Sequence, residues 1–379
     1  MAKTNKPGRA GPTLIAAALL AGASAGAAAQ QVTLYGSIDT GIEHITNARG
    51  DGGSFTRVPS ITGTQASRVG VRGEEELGDG LKALFVIENG FNADTGAAGQ
   101  GGRTWGRQAF VGVSSAAWGQ LSVGRQYTMI NYPLLSGDIM GPNIYGLGSL
   151  DSYLPAARSD NTLAYRHKLG GLGFGATYST GRDTVGTGTT SCAGEGAAGP
   201  VACRQMSAMA QYDGAAWGVG YAYDEMRGGG TLGATFYNGA AGIAMPLSSD
   251  KDARHLLTAY VKFGGTKVAG GVLARRVNTS VTDVDSNTWF IGASYPLTAA
   301  WTVDAEAIRI LNTDQNRSGS MLAARALYAF SKRTAAYAQL GFLDNNKGAQ
   351  YQVSSGGGGT VPAPGDNQLG SFVGLRHTF

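Results

Sequence analysis

No stretch of the 379 residues carries eighteen consecutive apolar side chains, although hydrophobic residues make up 42% of the chain. That absence excludes a helical membrane protein, because a spanning helix needs about 20 such residues in a row. Cysteine is scarce: only Cys192 and Cys203 occur, in a Gly- and Ala-rich stretch. No histidine lies near them in sequence, so a zinc site lacks ligands. In an exported chain the two can form a disulfide. The four histidines, His44, His167, His255 and His377, are dispersed, and no G-x-S-x-G nucleophile motif lies near any of them. Gly170 to Gly175 lacks the spacing of a dinucleotide fingerprint. No catalytic residue, cofactor or metal site is therefore expected. The 61 glycines have no fixed period, which excludes collagen and a regular solenoid adhesin.

What is present begins with an export signal. Lys3, Lys6 and Arg9 precede a short apolar run, Leu14 to Ala23, and Ala27-Ala28-Ala29 has the small-residue form of a cleavage site. The expected division is 1–29 as signal peptide and 30–379 as mature chain. The signal takes three cations from a net charge of +4, leaving the mature chain near +1. That gives no electrostatic footprint for nucleic acid.

The mature chain alternates with the period of strands. Sixteen are expected: 31–45, 64–78, 80–91, 102–114, 117–127, 158–168, 171–180 and 204–213, then 216–226, 253–263, 266–277, 286–295, 298–312, 318–330, 334–343 and 368–379. Seven short turns alternate with eight longer loops, both termini falling on one side. An even strand count with every long loop at one end is the pattern of an all-β, antiparallel transmembrane barrel.

The faces agree. Val69, Val71, Leu81, Ala83, Phe85 and Ile87 share one face of the first hairpin, with Arg68, Arg72, Lys82 and Glu88 opposite. Trp217, Val219 and Tyr221 share a parity, as do Leu322, Ala324, Ala326, Tyr328 and Phe330. The apolar face is expected to meet lipid and the charged face to line a wet bore. An unpaired strand edge is too costly in hydrocarbon, so the strand ending at Phe379 should close on the one starting at Gln31. One segment breaks parity, at Ile308 and Arg309. A bulge, or a strand end above the membrane, would each account for it.

The chain resembles the trimeric, sixteen-stranded general porins of Gram-negative bacteria, in their betaproteobacterial branch. The resemblance rests on Val32-Thr33-Leu34-Tyr35-Gly36, on Ser67 to Gly78, and on Gly106 to Val113. It continues through Gly119 to Tyr127, Arg158 to Tyr165, and Phe372 to Phe379. It spans the mature chain. It implies a homotrimer in the outer membrane among lipid and lipopolysaccharide, and a C-terminal signal at Phe379 read by the barrel-insertion machinery. It also implies a long third loop folded into the pore. Arg68, Arg107 and Arg158 match the family's arginine cluster facing that loop, and Arg125, just before the loop, is expected to join the cluster.

The third loop is 128–157, whose carboxylates are Asp138 and Asp151. A segment this long without strand pattern usually has a job. Several arginines facing two acids should favour anions. Arg72, Lys82, Arg103 and Arg166 are further candidate lumen charges. The expected function is passive diffusion of small hydrophilic solutes and ions, with anion preference. The alternatives are a substrate-specific channel for sugars or organic acids and, more remotely, an outer-membrane barrel enzyme.

Overall fold

The computed structural model describes residues 31–61, 63–181, 192, 195, 201–230 and 233–379. The expected signal, 1–29, lies outside the described residues. Sixteen barrel strands are present among those described. The first eight are β1 (Gln31–Ile45), β2 (Arg68–Gly78), β3 (Leu81–Gly90), β4 (Gln108–Ser115), β5 (Gly119–Tyr127), β6 (Arg158–Leu169), β7 (Leu172–Ser179) and β8 (Gln205–Asp213). The rest are β9 (Trp217–Arg227), β10 (Lys251–Phe263), β11 (Thr266–Asn278), β12 (Val284–Pro296), β13 (Trp301–Leu311), β14 (Gly319–Ala329), β15 (Thr334–Asn345) and β16 (Gln368–Thr378). Each pairs antiparallel with the next.

β1 closes the barrel by serving two partners. Its first half, Gln31 to Ser37, pairs with β2, and its second half, Ser37 to Ile45, pairs with β16. Phe379 completes the seam: its amide and carbonyl exchange hydrogen bonds with those of Gly36, at 3.1 and 3.0 Å. The seam joins the two ends of the sheet, as the cost of unpaired backbone groups in lipid requires.

The tight turns gather at one end. Gly264 and Gly265 both take positive φ, 54° and 83°, the two left-handed positions that a two-residue hairpin turn demands. β2 starts later than expected, at Arg68, for a physical reason. The Asp39 carboxylate accepts from the amides of Thr64 and Gln65 and from the Thr64 hydroxyl. Those amides are committed to a side chain and not to a ladder.

The skin is apolar. Val32, Leu34, Val111, Val123, Trp289, Ile291, Leu340 and Val373 are exposed on the outer face, where lipid supplies the burial. The first hairpin is less clear-cut, its expected lipid face being only half-exposed. On β13 the pairing runs unbroken from Leu311 to Thr302 against β12 and from Ile310 to Trp301 against β14, so there is no bulge. Ile308 points inward and is buried, while Arg309 points outward, two residues before the strand ends.

The inward Ile308 has a partner because the bore contains its own hydrophobic core. Leu256, Leu273, Phe290 and Met321 line the wall beside it, packed with Ile130, Leu134, Met140, Ile144 and Leu147 of the third loop. Polar-inside alternation fails wherever that loop covers the wall.

Candidate pore constriction

Segment 128–157 leaves β5, crosses the bore and returns to β6. Its neck is closed by the Thr128 amide on the Ala157 carbonyl, 3.0 Å. A short helix, α1 (Asn131–Gly137), lies against β9 and β10, where the Thr258 hydroxyl donates to the Pro133 carbonyl. Next the amides of Ile139 and Met140 donate to one oxygen of Glu306, at 2.9 and 3.4 Å. Tyr145 then fills a slot in the wall. Gly341 and Gly370 are cross-strand partners, and a Cβ on either would fall 2.7 Å from the Tyr145 ring. Only glycine at both positions leaves room for the ring.

The far arm is held by charge. Arg254 of β10 donates to both oxygens of Asp151, at 2.8 and 3.2 Å. It also reaches Asp252, which takes two further bonds from Arg275. All four side chains are buried. Arg254 and Arg275 are direct cross-strand neighbours, a repulsive pair unless acids lie between them. Asp151 and Asp252 supply those acids. Asp151 therefore anchors the loop and does not face Arg68, Arg107 or Arg158. Asp138 caps the Gly141 amide at 2.7 Å. Burial and the adjacent Glu306 carboxylate push its carboxyl well above the usual range.

Arg68, Arg107 and Arg158 are brought together at the root of the loop. Glu88 of β3 accepts from Arg107 Nε at 2.6 Å and from the Tyr35 hydroxyl at 2.9 Å. Arg68 Nε is 3.7 Å from the same carboxylate. The Tyr127 hydroxyl accepts from Arg107 at 2.6 Å and from Arg158 at 3.4 Å. The result is a continuous chain, Arg158–Tyr127–Arg107–Glu88–Arg68, with three cations to one anion. The Arg68 side chain is 25% exposed, whereas Arg107 and Arg158 are buried behind it. Simple parity does not place Arg158. Asn161 takes φ 50° at a register shift, so Arg158 pairs with Tyr127, out of step with the Thr162 series.

Arg125 is placed differently. Its register partner is Ala109, which shares the parity of the exposed Val111. Its guanidinium bonds Asp160 at 2.5 Å and the Gly106 carbonyl at 2.7 Å. Arg103 bonds the same Asp160. Among the other candidate charges, Arg72 lies over the Tyr35 ring, and Arg166 lies over Tyr132 while donating to Gln120. Lys82 pairs with Glu76 at 2.7 Å. Toward the short-turn end, a cavity of about 650 Å³ opens against Lys82, Gln120, Tyr132, Arg166, Lys168 and Asp213. Cys192 and Cys203 form a disulfide.

The sequence reading placed Glu88 on the charged face of the first hairpin but gave it no role, and it missed Glu306, Arg254, Asp252 and Arg275. Parity held a usable signal for Arg254, which lies opposite the exposed His255 and Leu257. It was masked by Leu256, an apolar residue on the inner wall. No local pattern marks Glu306 as a seat for backbone amides 166 and 167 residues away.

A closed barrel with an apolar skin, a charged bore and a loop laid across that bore defines a transmembrane channel. The chain belongs to the Gram-negative porin family, which matches residues 16–348. It is an outer-membrane porin, a channel and not an enzyme. Outer membrane porin protein 32 of Delftia acidovorans is 29% identical over 386 residues, covering 97% of this chain and 99% of that one. An outer membrane porin of Bordetella pertussis is 42% identical over 182 residues, 44% of this chain and 47% of that one. In that comparison the chain spans about half of the relative's length. The solved anion-selective porin from Comamonas acidovorans has a TM-score of 0.77 at 22% identity, with 92% of this chain and 100% of that one covered.

Proposed function

We propose that the channel passes small hydrophilic solutes and ions by diffusion and prefers anions. The arginine cluster carries this reading: Arg68 and Arg107 share one carboxylate, Glu88, and Arg158 joins them through the Tyr127 hydroxyl. Arginine stays protonated at any physiological pH. Buried charges are screened by salt less than exposed ones, so Arg107 and Arg158 reinforce the field at the more exposed Arg68. The two loop acids do not offset it, because Asp151 is bound to Arg254 and Asp138 is turned toward Gly141 and Glu306. The description of the Comamonas porin as anion-selective points the same way.

A sugar-specific channel gains less support. Tyr35, Tyr127 and Tyr132 each carry a guanidinium over the ring, which leaves less open aromatic surface for stacking a sugar. Segment 128–157 is the constriction in this reading. The assembly is a homotrimer, with 1–29 removed on export and Phe379 serving the insertion machinery. All of these rest on the family resemblance. Cross-linking and N-terminal sequencing of the purified protein test the trimer and the cleavage.

The decisive measurement is the reversal potential of the protein in a planar bilayer under a KCl gradient. It should show anion preference, and replacing Arg68, Arg107 and Arg158 by Gln together should weaken that preference while the barrel stays folded. Clear cation preference in the unaltered protein would overturn the reading.

A further inference from the structure

The disulfide stands at the far end of a series of contacts that leads to the third loop. Cys192 and Cys203 are buried, and their sulfurs lie 3.1 and 3.0 Å from the Gly229 carbonyl oxygen. Gly229 is near the start of the loop between β9 and β10, 228–250. Backbone bonds tie that point to both sides. The Cys203 amide donates to the Gly228 carbonyl, and the Gly229 amide donates to the Met245 carbonyl, each at 2.9 Å. A Cβ on Gly229 would fall 2.7 Å from that of Ala202. The disulfide and loop 228–250 thus pack as one layer, with Cys192, Cys203, Phe236, Ile243 and Met245 in a shared apolar cluster.

That layer covers charge. Within loop 228–250 a small hairpin pairs Gly233–Ala234 with Ile243–Ala244. Just after its first strand, the Thr235 carbonyl accepts from Arg275 at 2.8 Å, and the Arg275 guanidinium lies 4.2 Å from the centre of the Phe236 ring. Arg275 holds Asp252, Asp252 holds Arg254, and Arg254 holds Asp151 of loop 128–157. Between loop 228–250 and these ions lies a cavity of about 10 Å³, room for one water at most. The hairpin keeps the ions nearly dry. Their attraction is strong while water is excluded and falls as the local dielectric rises. Lifting the hairpin would admit water to Arg275 and Asp252 and slacken the grip of Arg254 on Asp151.

We infer that the Cys192–Cys203 disulfide is a remote positioning element for loop 128–157. It holds loop 228–250 down as the cover over the Asp151–Arg254 anchor, and Phe236 is the side chain through which the cover bears on the ions. The consequence for current rests on the reading of 128–157 as the constriction; the consequence for the loop does not.

The Tyr153 amide donates to Asp151 Oδ1 at 3.0 Å, so its hydrogen exchange reports the anchor independently of conduction. A dithiol added to the folded, detergent-extracted protein gives two electrons and two protons to the S–S bond. The bond breaks, Cys192 and Cys203 become thiols, and the reagent becomes a cyclic disulfide. Exchange at the Tyr153 amide should then quicken by about fivefold or more, the low end of couplings between separate sites. Reoxidation should restore the slow rate. Replacing Cys192 and Cys203 by Ser together should give the fast rate without any reagent having to reach the buried bond, and Phe236→Ala should do the same with the disulfide intact. The ladders of β13 and β14 should stay protected throughout. In Asp151→Asn the anchor is already weakened, so the dithiol should add little. In a planar bilayer the reduced channel should carry a larger and noisier current.

The inference is overturned if the Tyr153 amide exchanges at one rate in the unaltered protein and the Ser pair. It is also overturned if the strand ladders lose protection in step with that amide, or if the dithiol acts as strongly on Asp151→Asn. A faster amide with unchanged current would uphold the positioning and count instead against 128–157 as the constriction.

Discussion

Arg254 grips Asp151 through both carboxylate oxygens, at 2.8 and 3.2 Å, across 103 residues of sequence. The bond fastens the returning arm of the third loop to the barrel wall. Breaking a buried ion pair by removing one partner costs about 3–5 kcal/mol, because a charge is left unpaired. Arg254 also has Asp252, so Asp151→Asn should fall near 3 kcal/mol, the lower end of that range. The cost should appear as a looser loop, read as larger and noisier single-channel current. Replacing Asp151 and Arg254 by Leu together should be far less costly than Asp151→Asn alone. If the single variant conducts like the unaltered protein, the pair is not the anchor.

Glu88 limits the field it sits in. It is the one carboxylate in the chain from Arg158 to Arg68, and it takes bonds from Arg107 and Tyr35. Glu88→Gln keeps the shape and an acceptor while removing the charge. Anion preference should rise, with the reversal potential under a KCl gradient moving further toward the chloride limit. Movement toward the potassium limit would show that Glu88 matters for placing Arg107 more than for its own charge.

Strand order and turn positions were legible because strands repeat every two residues and turns need Gly, Asp or Pro. The expected span 266–277 is found as Thr266–Asn278, and 31–45 as Gln31–Ile45. The cluster of Arg68, Arg107 and Arg158 was reached through resemblance, and the structure brings the three together. Their geometry was not legible. The positive φ of Asn161 shifts the register beside Arg158, and an isolated Asn does not announce a bulge. The expectation that Asp138 and Asp151 face the arginines did not anticipate Arg254 and Glu306, whose contacts with the loop join residues more than 100 apart. Ile308 broke parity because it belongs to an apolar cluster that joins its cross-strand neighbours Phe290 and Met321 to the third loop.

Gly341 shows how a residue with no side chain can position one that is large. Its partner is Gly370, and the Tyr145 ring lies over both. Gly341→Val would drive a side chain into the ring, and overpacking of this kind costs typically about 1–3 kcal/mol. The wall strand is fixed by ladders on both sides, so the loop should yield. Altered conductance is the expected result, with Tyr145→Ala in the same chain restoring the space and the seating of the wall. A Gly341→Val channel with unchanged current and unchanged Tyr145 quenching would remove Tyr145 from the list of loop anchors.

The seat of the loop tip should depend on pH. Asp138 is buried beside Glu306, with Arg325 and Lys267 the nearby cations. Burial first, and then the Glu306 charge, raise the Asp138 carboxyl well above its ordinary value. A raised carboxyl favours its neutral form, so its contribution is intact below about pH 4, the ordinary value. It is lost as pH rises through the raised value. The amides of Ile139 and Met140 on Glu306, and of Gly141 on Asp138, report the seat directly. Their hydrogen-exchange protection factors, corrected for intrinsic rates, should fall as pH rises across that window. Asp138→Asn cannot ionise, so in that variant protection should vary less with pH. Equal pH dependence in the variant would move the titrating group away from Asp138.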